Sequence, residues 1–190
     1  MVTYNTSNIK NGLKVLINNE PHIIVESEFH KPGKGQAFSR LKVKNLINGK
    51  TNEKTLKIGE SLEHADIKEK EMQFLYNDNT GWVFMDNETY EQIILSESLV
   101  SDNSYWLKGE DICSILFFND EAINISIPNF VELQVTETEP GLKGDTTSAA
   151  VKDAKLETGV TIKVPIFINI SDVIKVDTRN SEYISRVKGS

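Results

Sequence analysis

Apolar and polar positions alternate along most of this chain in short runs with a period of two, the spacing of strands that bury one face, and turn-forming residues punctuate the runs. Leu13-Lys14-Val15-Leu16-Ile17 leads through Asn18-Asn19 to Pro21-His22-Ile23-Ile24-Val25-Glu26-Ser27-Glu28-Phe29. Two runs separated by an Asn-Asn step predict a hairpin, because asparagine tolerates the left-handed backbone of a tight turn. A second pair runs from Gln36 to Leu46 and from Glu53 to Ile58, joined through Asn48-Gly49-Lys50. The middle of the chain offers Lys70 to Tyr76 and Trp82 to Asp86 around a turn at Asn77 to Gly81, then Tyr90 to Leu95, Asp111 to Phe118 and Ala122 to Ile127. Phe130 to Thr136 alternates cleanly, and runs follow at Ala154 to Glu157, Gly159 to Phe167, Val173 to Asp177 and Glu182 to Val187. Helical spacing is scarce. The pattern predicts an all-β protein of small barrels in three units, residues 1–64, 65–128 and 129–190. The junctions near Glu63 to Asp66 and at Pro128-Asn129 carry no long Gly/Ser linker.

Composition narrows the class. Of 190 residues, 38% are hydrophobic, enough for folded cores. No run approaches the roughly 20 apolar residues that span a bilayer, and Met1-Val2-Thr3-Tyr4-Asn5-Thr6-Ser7 lacks the basic start and apolar run of a signal peptide. The expectation is a cytoplasmic protein with no membrane partner. Cys113 is the single cysteine, and with His22, His30 and His64 it forms no metal-ligand spacing, so neither a metal nor another cofactor is expected. Within Ile112-Cys113-Ser114-Ile115-Leu116-Phe117-Phe118 the thiol reads as buried and inert. Trp82 and Trp106, in an acidic stretch, read as packing residues rather than base-stacking platforms.

A net charge of −7 argues against a nucleic-acid partner until it is divided along the chain. Residues 1–63 carry 10 basic and 6 acidic side chains, residues 64–128 carry 3 and 13, and residues 129–190 carry 8 and 9. A basic first third followed by a strongly acidic middle suits a protein with one end turned toward RNA.

The candidate chemistry lies between Phe29 and Gln36, in His30-Lys31-Pro32-Gly33-Lys34-Gly35. Pro32-Gly33 signals a turn, and glycines on both sides of Lys34 strip away neighbouring side chains and permit positive φ. Lys34 therefore protrudes at a hairpin tip, where it serves either as an extended cationic arm or as an ordinary solvated turn lysine. A phosphate-cradling loop needs Ser or Thr after the lysine and a helix beyond, whereas Gly35 follows here and a strand is predicted next. No nucleophile elbow or histidine-paired nucleophile is evident, so an enzyme is not expected.

Taken together, Ser27-Glu28-Phe29-His30-Lys31-Pro32-Gly33-Lys34-Gly35-Gln36-Ala37-Phe38, with Arg40, resembles the N-terminal tip loop of the bacterial elongation factor P family. Leu75-Tyr76-Asn77-Asp78 and Phe84-Met85-Asp86-Asn87-Glu88-Thr89-Tyr90 resemble its middle domain. Pro128 to Leu133, Pro140-Gly141-Leu142-Lys143-Gly144-Asp145-Thr146, Ile174 to Arg179 and Glu182 to Val187 resemble its C-terminal domain. The resemblance implies an N-terminal KOW/SH3-like barrel followed by two OB-fold barrels. It implies a monomeric factor that binds the ribosome between the peptidyl-tRNA and exit sites and relieves stalling at consecutive prolines. Lys34 matches the position that is extended after translation, here by a β-lysyl group added by a lysyl-tRNA-synthetase-like ligase. Lys31, Pro32, Gly33, Lys34, Gly35, Gln36, Arg40 and Lys42 would meet the acceptor end of peptidyl-tRNA. Gly144, Asp145 and Thr146 match a codon-side loop, while Tyr183 and Arg186 match a surface near the tRNA elbow. The run Thr147-Ser148-Ala149-Ala150-Val151 is less glycine-rich than the family pattern. A general RNA-binding KOW/OB module of transcription or ribosome assembly is the alternative that fold alone permits.

Overall fold

In the computed structural model, which describes residues 2–140 and 150–187, Asn18 and Asn19 both take left-handed backbone, with φ of 53° and 65°. They join β2 (Lys14–Ile17) to β3 (Glu20–His30), as the Asn-Asn step predicts. β3 pairs with β4 (Phe38–Asn45) and β4 with β5 (Thr51–Lys57), giving an antiparallel sheet in the order β2-β3-β4-β5. Two three-residue strands, β1 (Thr3–Asn5) and β6 (Ser61–Glu63), were too short to show a period and pair with each other, Tyr4 opposite Leu62. A bridge from Val15 to His64 and a 3.2 Å contact between the Tyr4 hydroxyl and His64 Nδ1 tie this pair to the larger sheet. The barrel core is built on Val15, Ile24, Leu41, Val43 and Leu56, all at most 2% exposed.

The remaining elements are β7 (Ile67–Asp78), β8 (Gly81–Asp86), β9 (Gln92–Leu95), a four-residue helix α1 (Glu97–Val100), a 3-10 helix Ser101–Trp106, β10 (Ile112–Phe118) and β11 (Glu121–Ser126). They are followed by β12 (Phe130–Thr138), β13 (Val151–Leu156), β14 (Thr161–Pro165), β15 (Val173–Asp177) and β16 (Glu182–Arg186). One five-stranded sheet runs β11-β10-β7-β8-β9 and another β14-β13-β12-β15-β16. The described protein is thus nearly all strand and barrel-like, the class that the alternation predicts. The contacts divide it into two compact units, residues 1–70 with 115–125, and residues 71–114 with 126–190.

Within the second unit, Leu133, Ala154, Val164, Ile174 and Val176 are solvent-free, and Trp106 packs into the same cluster at 6% exposure. Trp82 lies 5.3 Å from the Phe74 ring. Both tryptophans are packing residues. Cys113 is 1% exposed, and burial pushes its thiol up to about 12, so it carries no thiolate at neutral pH.

A β-bulge in the first unit decides which residues flank the tip. Along β4 the inward positions are Ser39, Leu41, Val43 and Asn45, all buried. Ile24 stands opposite Val43, but Ser27, three residues on, stands opposite Leu41, because Val25 is inserted between the Ile24 and Glu26 pairings. Residues directly opposite in an antiparallel pair share a face, so the extra residue flips the following alternation. Glu26 and Glu28 turn outward, whereas a regular strand would have driven both into the core beneath Ile24.

Candidate functional site

The tip loop spans residues 31–37 between paired His30 and Phe38. The rings of these two residues stack with centroids 5.1 Å apart and planes at 21°, closing the base of the loop. Lys31, Pro32, Gly33, Lys34, Gly35 and Gln36 are all exposed, and Ala37 is buried at 8%. Gly35 holds φ at +104°, a backbone that side-chain-bearing residues rarely take, while Gly33 needs no such conformation. Among the described residues nothing donates to, accepts from or pairs with Lys34. It has neither an adjacent base to deprotonate it nor an acid to pair with, so its geometry fits reaching and charge presentation better than acid–base chemistry.

Arg40 and Lys42 occupy the outer face of β4, and both are exposed. Arg40 stands opposite Glu28 and Thr55, and Lys42 opposite Glu26 and Glu53. Arg40, Lys42 and the three glutamates border a crevice of about 250 Å³. His30 Nε2 also approaches the Glu28 carboxylate at 3.3 Å. The two cations behind the tip therefore sit in a field of carboxylates, which the linear sequence conceals because the opposing residues lie 11 or more positions away. Lys31 and Lys34, on the loop itself, have no such cross-strand neighbour.

At the far end of the chain, Gly144, Asp145 and Thr146 lie outside the described residues. Tyr183 and Arg186 are both on β16, three apart, a spacing that places residues of a regular strand on opposite faces. A bulge between the Lys175 and Val176 pairings corrects this. Tyr183 stands opposite Val176 and Arg186 opposite Ile174, two fully buried residues of one face. Tyr183 is half-buried against the core, and Arg186 reaches Asp172 at 3.8 Å and the Phe167 ring at 6.0 Å.

A cluster that sequence reasoning left without a role lies at the end of β15. Asp177, 6% exposed, accepts from Arg179 Nε at 2.9 Å, from its terminal nitrogen at 2.5 Å and from its backbone N–H at 3.0 Å. These bonds hold the Asp177 carboxyl below its usual range. The fixed guanidinium sits 5.4 Å from the exposed Phe130 ring, with Lys175 Nζ at 5.1 Å. The spacing of Asp177 and Arg179, two apart, was the available signal. Among the described residues no group of three or more His, Cys, Asp or Glu is arranged to hold a metal, and no helix is long and apolar enough to cross a membrane.

Comparison with known families yields three matches in chain order. They are described as the elongation factor P KOW-like domain over residues 5–62, the elongation factor P OB domain over 67–125, and elongation factor P, C-terminal, over 131–186. Among solved structures, a eukaryotic translation initiation factor 5A from Methanococcus jannaschii is 23% identical with a TM-score of 0.51, covering 67% of this chain and 92% of that one. A translation initiation factor eif-5a family protein from Naegleria fowleri is 17% identical with the same TM-score of 0.51, covering 66% of this chain and 98% of its own. The likeness to these two is one of fold. Strand content, barrel architecture and family matches together define a translation factor built from KOW-like and OB barrels. The chain belongs to the elongation factor P family.

Proposed function

We propose that this protein binds the ribosome beside peptidyl-tRNA and stimulates peptide-bond formation where consecutive prolines stall it, acting in the cytoplasm as a monomer without enzymatic activity of its own. The observation that carries the reading is Lys34, exposed and without a partner among the described residues at the tip of a long hairpin in a chain of this family. The proline ring restricts the backbone and lets the nascent chain and acceptor rest in unproductive geometry. An arm that holds the acceptor end of the tRNA lowers the orientational part of the barrier without reacting. A β-lysyl group joined to Lys34 by a lysyl-tRNA-synthetase-like ligase would lengthen the arm and add donors. Gly33 and Gly35 leave clearance around it, and Lys31, Arg40 and Lys42 meet tRNA phosphates. Gly144 to Thr146, Tyr183 and Arg186 serve the codon side and the tRNA elbow.

Reconstituted translation of a message with consecutive prolines tests the reading. The protein should relieve the arrest, and Lys34→Ala should lose most of the rate effect while ribosome affinity changes little. Equal rescue by the variant refutes the role of Lys34, and a general RNA-binding module would show only the small affinity loss of one phosphate contact. Intact-mass analysis and peptide mapping of protein from its native host should place an added group on Lys34. A bare lysine there removes the modification from the proposal.

A further inference from the structure

We propose that His30 is a positioning residue for Lys34: stacked on Phe38 across the last rung of the hairpin, it fixes the direction in which the tip loop carries the lysine. The inference deepens the proposed function of Lys34 and rests on it. Lys34 stands at the middle of the loop, four residues from His30 and four from Phe38. Among the described residues none makes a hydrogen bond to Pro32, Gly33, Lys34, Gly35 or Gln36. The two glycines also widen the backbone choices on either side of the lysine. Nothing within the loop therefore settles where the arm points, and its direction is inherited from the two ends.

Both ends are held at one rung. His30 and Phe38 are directly opposite, and their half-buried rings lie 5.1 Å apart with planes at 21°, close to parallel. Cross-strand aromatic pairs brace the strands that carry them, and tilting one strand end against the other would open the ring contact. The histidine nitrogen shows what orients the ring. Nε2 is closed to solvent, makes no hydrogen bond and faces the Glu28 carboxylate at 3.3 Å. A buried polar atom left unbonded is a local cost. The ring gives up a hydrogen bond to lie flat on Phe38, so it is oriented by the stack rather than by its nitrogens. A side chain that contacted RNA would present those nitrogens instead, and a phenylalanine could not replace it. In a positioning residue it could.

The test compares the full-length protein with His30→Leu, which keeps an apolar side chain without a ring, and His30→Phe, which keeps the ring without its nitrogens. In the free protein, NMR order parameters of the Gly33, Lys34 and Gly35 amides should fall in His30→Leu and return in His30→Phe. In reconstituted translation of consecutive prolines, His30→Leu should lower the rate at saturating protein roughly tenfold and leave the half-saturating concentration unchanged. His30→Phe should restore that rate, and Phe38→Leu, which removes the other ring, should behave as His30→Leu does. Unchanged order parameters or an unchanged saturating rate in His30→Leu would overturn the proposal. So would failure of His30→Phe to restore both, or a loss of affinity in place of rate. If rescue depends on Lys34 while His30→Leu keeps its full rate, the positioning role alone is rejected. If rescue does not depend on Lys34, the proposed function is rejected and the order parameters decide whether the stack holds the loop.

Discussion

An alanine at position 35 would have to hold φ near +104°, whereas one at position 33 would meet open space, since nothing lies within 4 Å of the Cβ it would carry. The two glycines look equivalent in Lys31-Pro32-Gly33-Lys34-Gly35-Gln36, and the fold separates them: of the two, only Gly35 holds a backbone that favours glycine. Gly35→Ala should therefore distort the loop at a cost of about 1–2 kcal/mol, visible as faster amide exchange across residues 31–37. Gly33→Ala should leave exchange unchanged and lower only the rescue rate, by narrowing the space beside the arm. Equal behaviour of the two variants in the exchange measurement would contradict this division.

At the scale of elements, two bulges do what alternation alone would not. Deleting Val25 removes the first and returns Glu26 and Glu28 to the inward face, against a core of Ile24 and Leu41. Burying unpaired carboxylates is strongly destabilising, so this deletion should lower the melting temperature far more than removal of a residue from the exposed tip. Circular dichroism melts compare the two. The corner after β15 offers a pH test. Arg179 holds Asp177 below its ordinary value of 3.8, so the carboxylate contributes stability that is full above 3.8 and is lost as pH falls through its lower folded value. The gap in urea midpoint between the protein and Arg179→Met should be widest near neutral pH and close in acid below 3.8. A gap independent of pH would show that Arg179 acts through packing on Phe130 instead.

Across the whole molecule, a net charge of −7 coexists with a net basic first third, in which the sheet sets Arg40 and Lys42 opposite carboxylates. Ribosome binding should weaken with salt, and Lys31→Ala should reduce the log–log slope by about one. Arg40→Ala and Lys42→Ala should reduce it less, because Glu28, Glu26 and Glu53 already screen those cations. Equal reductions would show that Glu28, Glu26 and Glu53 do not screen Arg40 and Lys42. Most strands, the all-β class, the Asn18-Asn19 turn, the inert Cys113 and the exposed position of Lys34 at a hairpin tip were legible in the linear chain, because each depends on local period, composition or turn chemistry. The short strands β1 and β6 and the turn of helix at α1 were not, since three or four residues show no period. Nor could the chain reveal that Glu26 faces Lys42, that Tyr183 and Arg186 share a face, or that Trp106 joins the core of β12 to β15. Those facts depend on register and bulges, which pairing between distant strands sets and in which a single inserted residue reverses every face that follows.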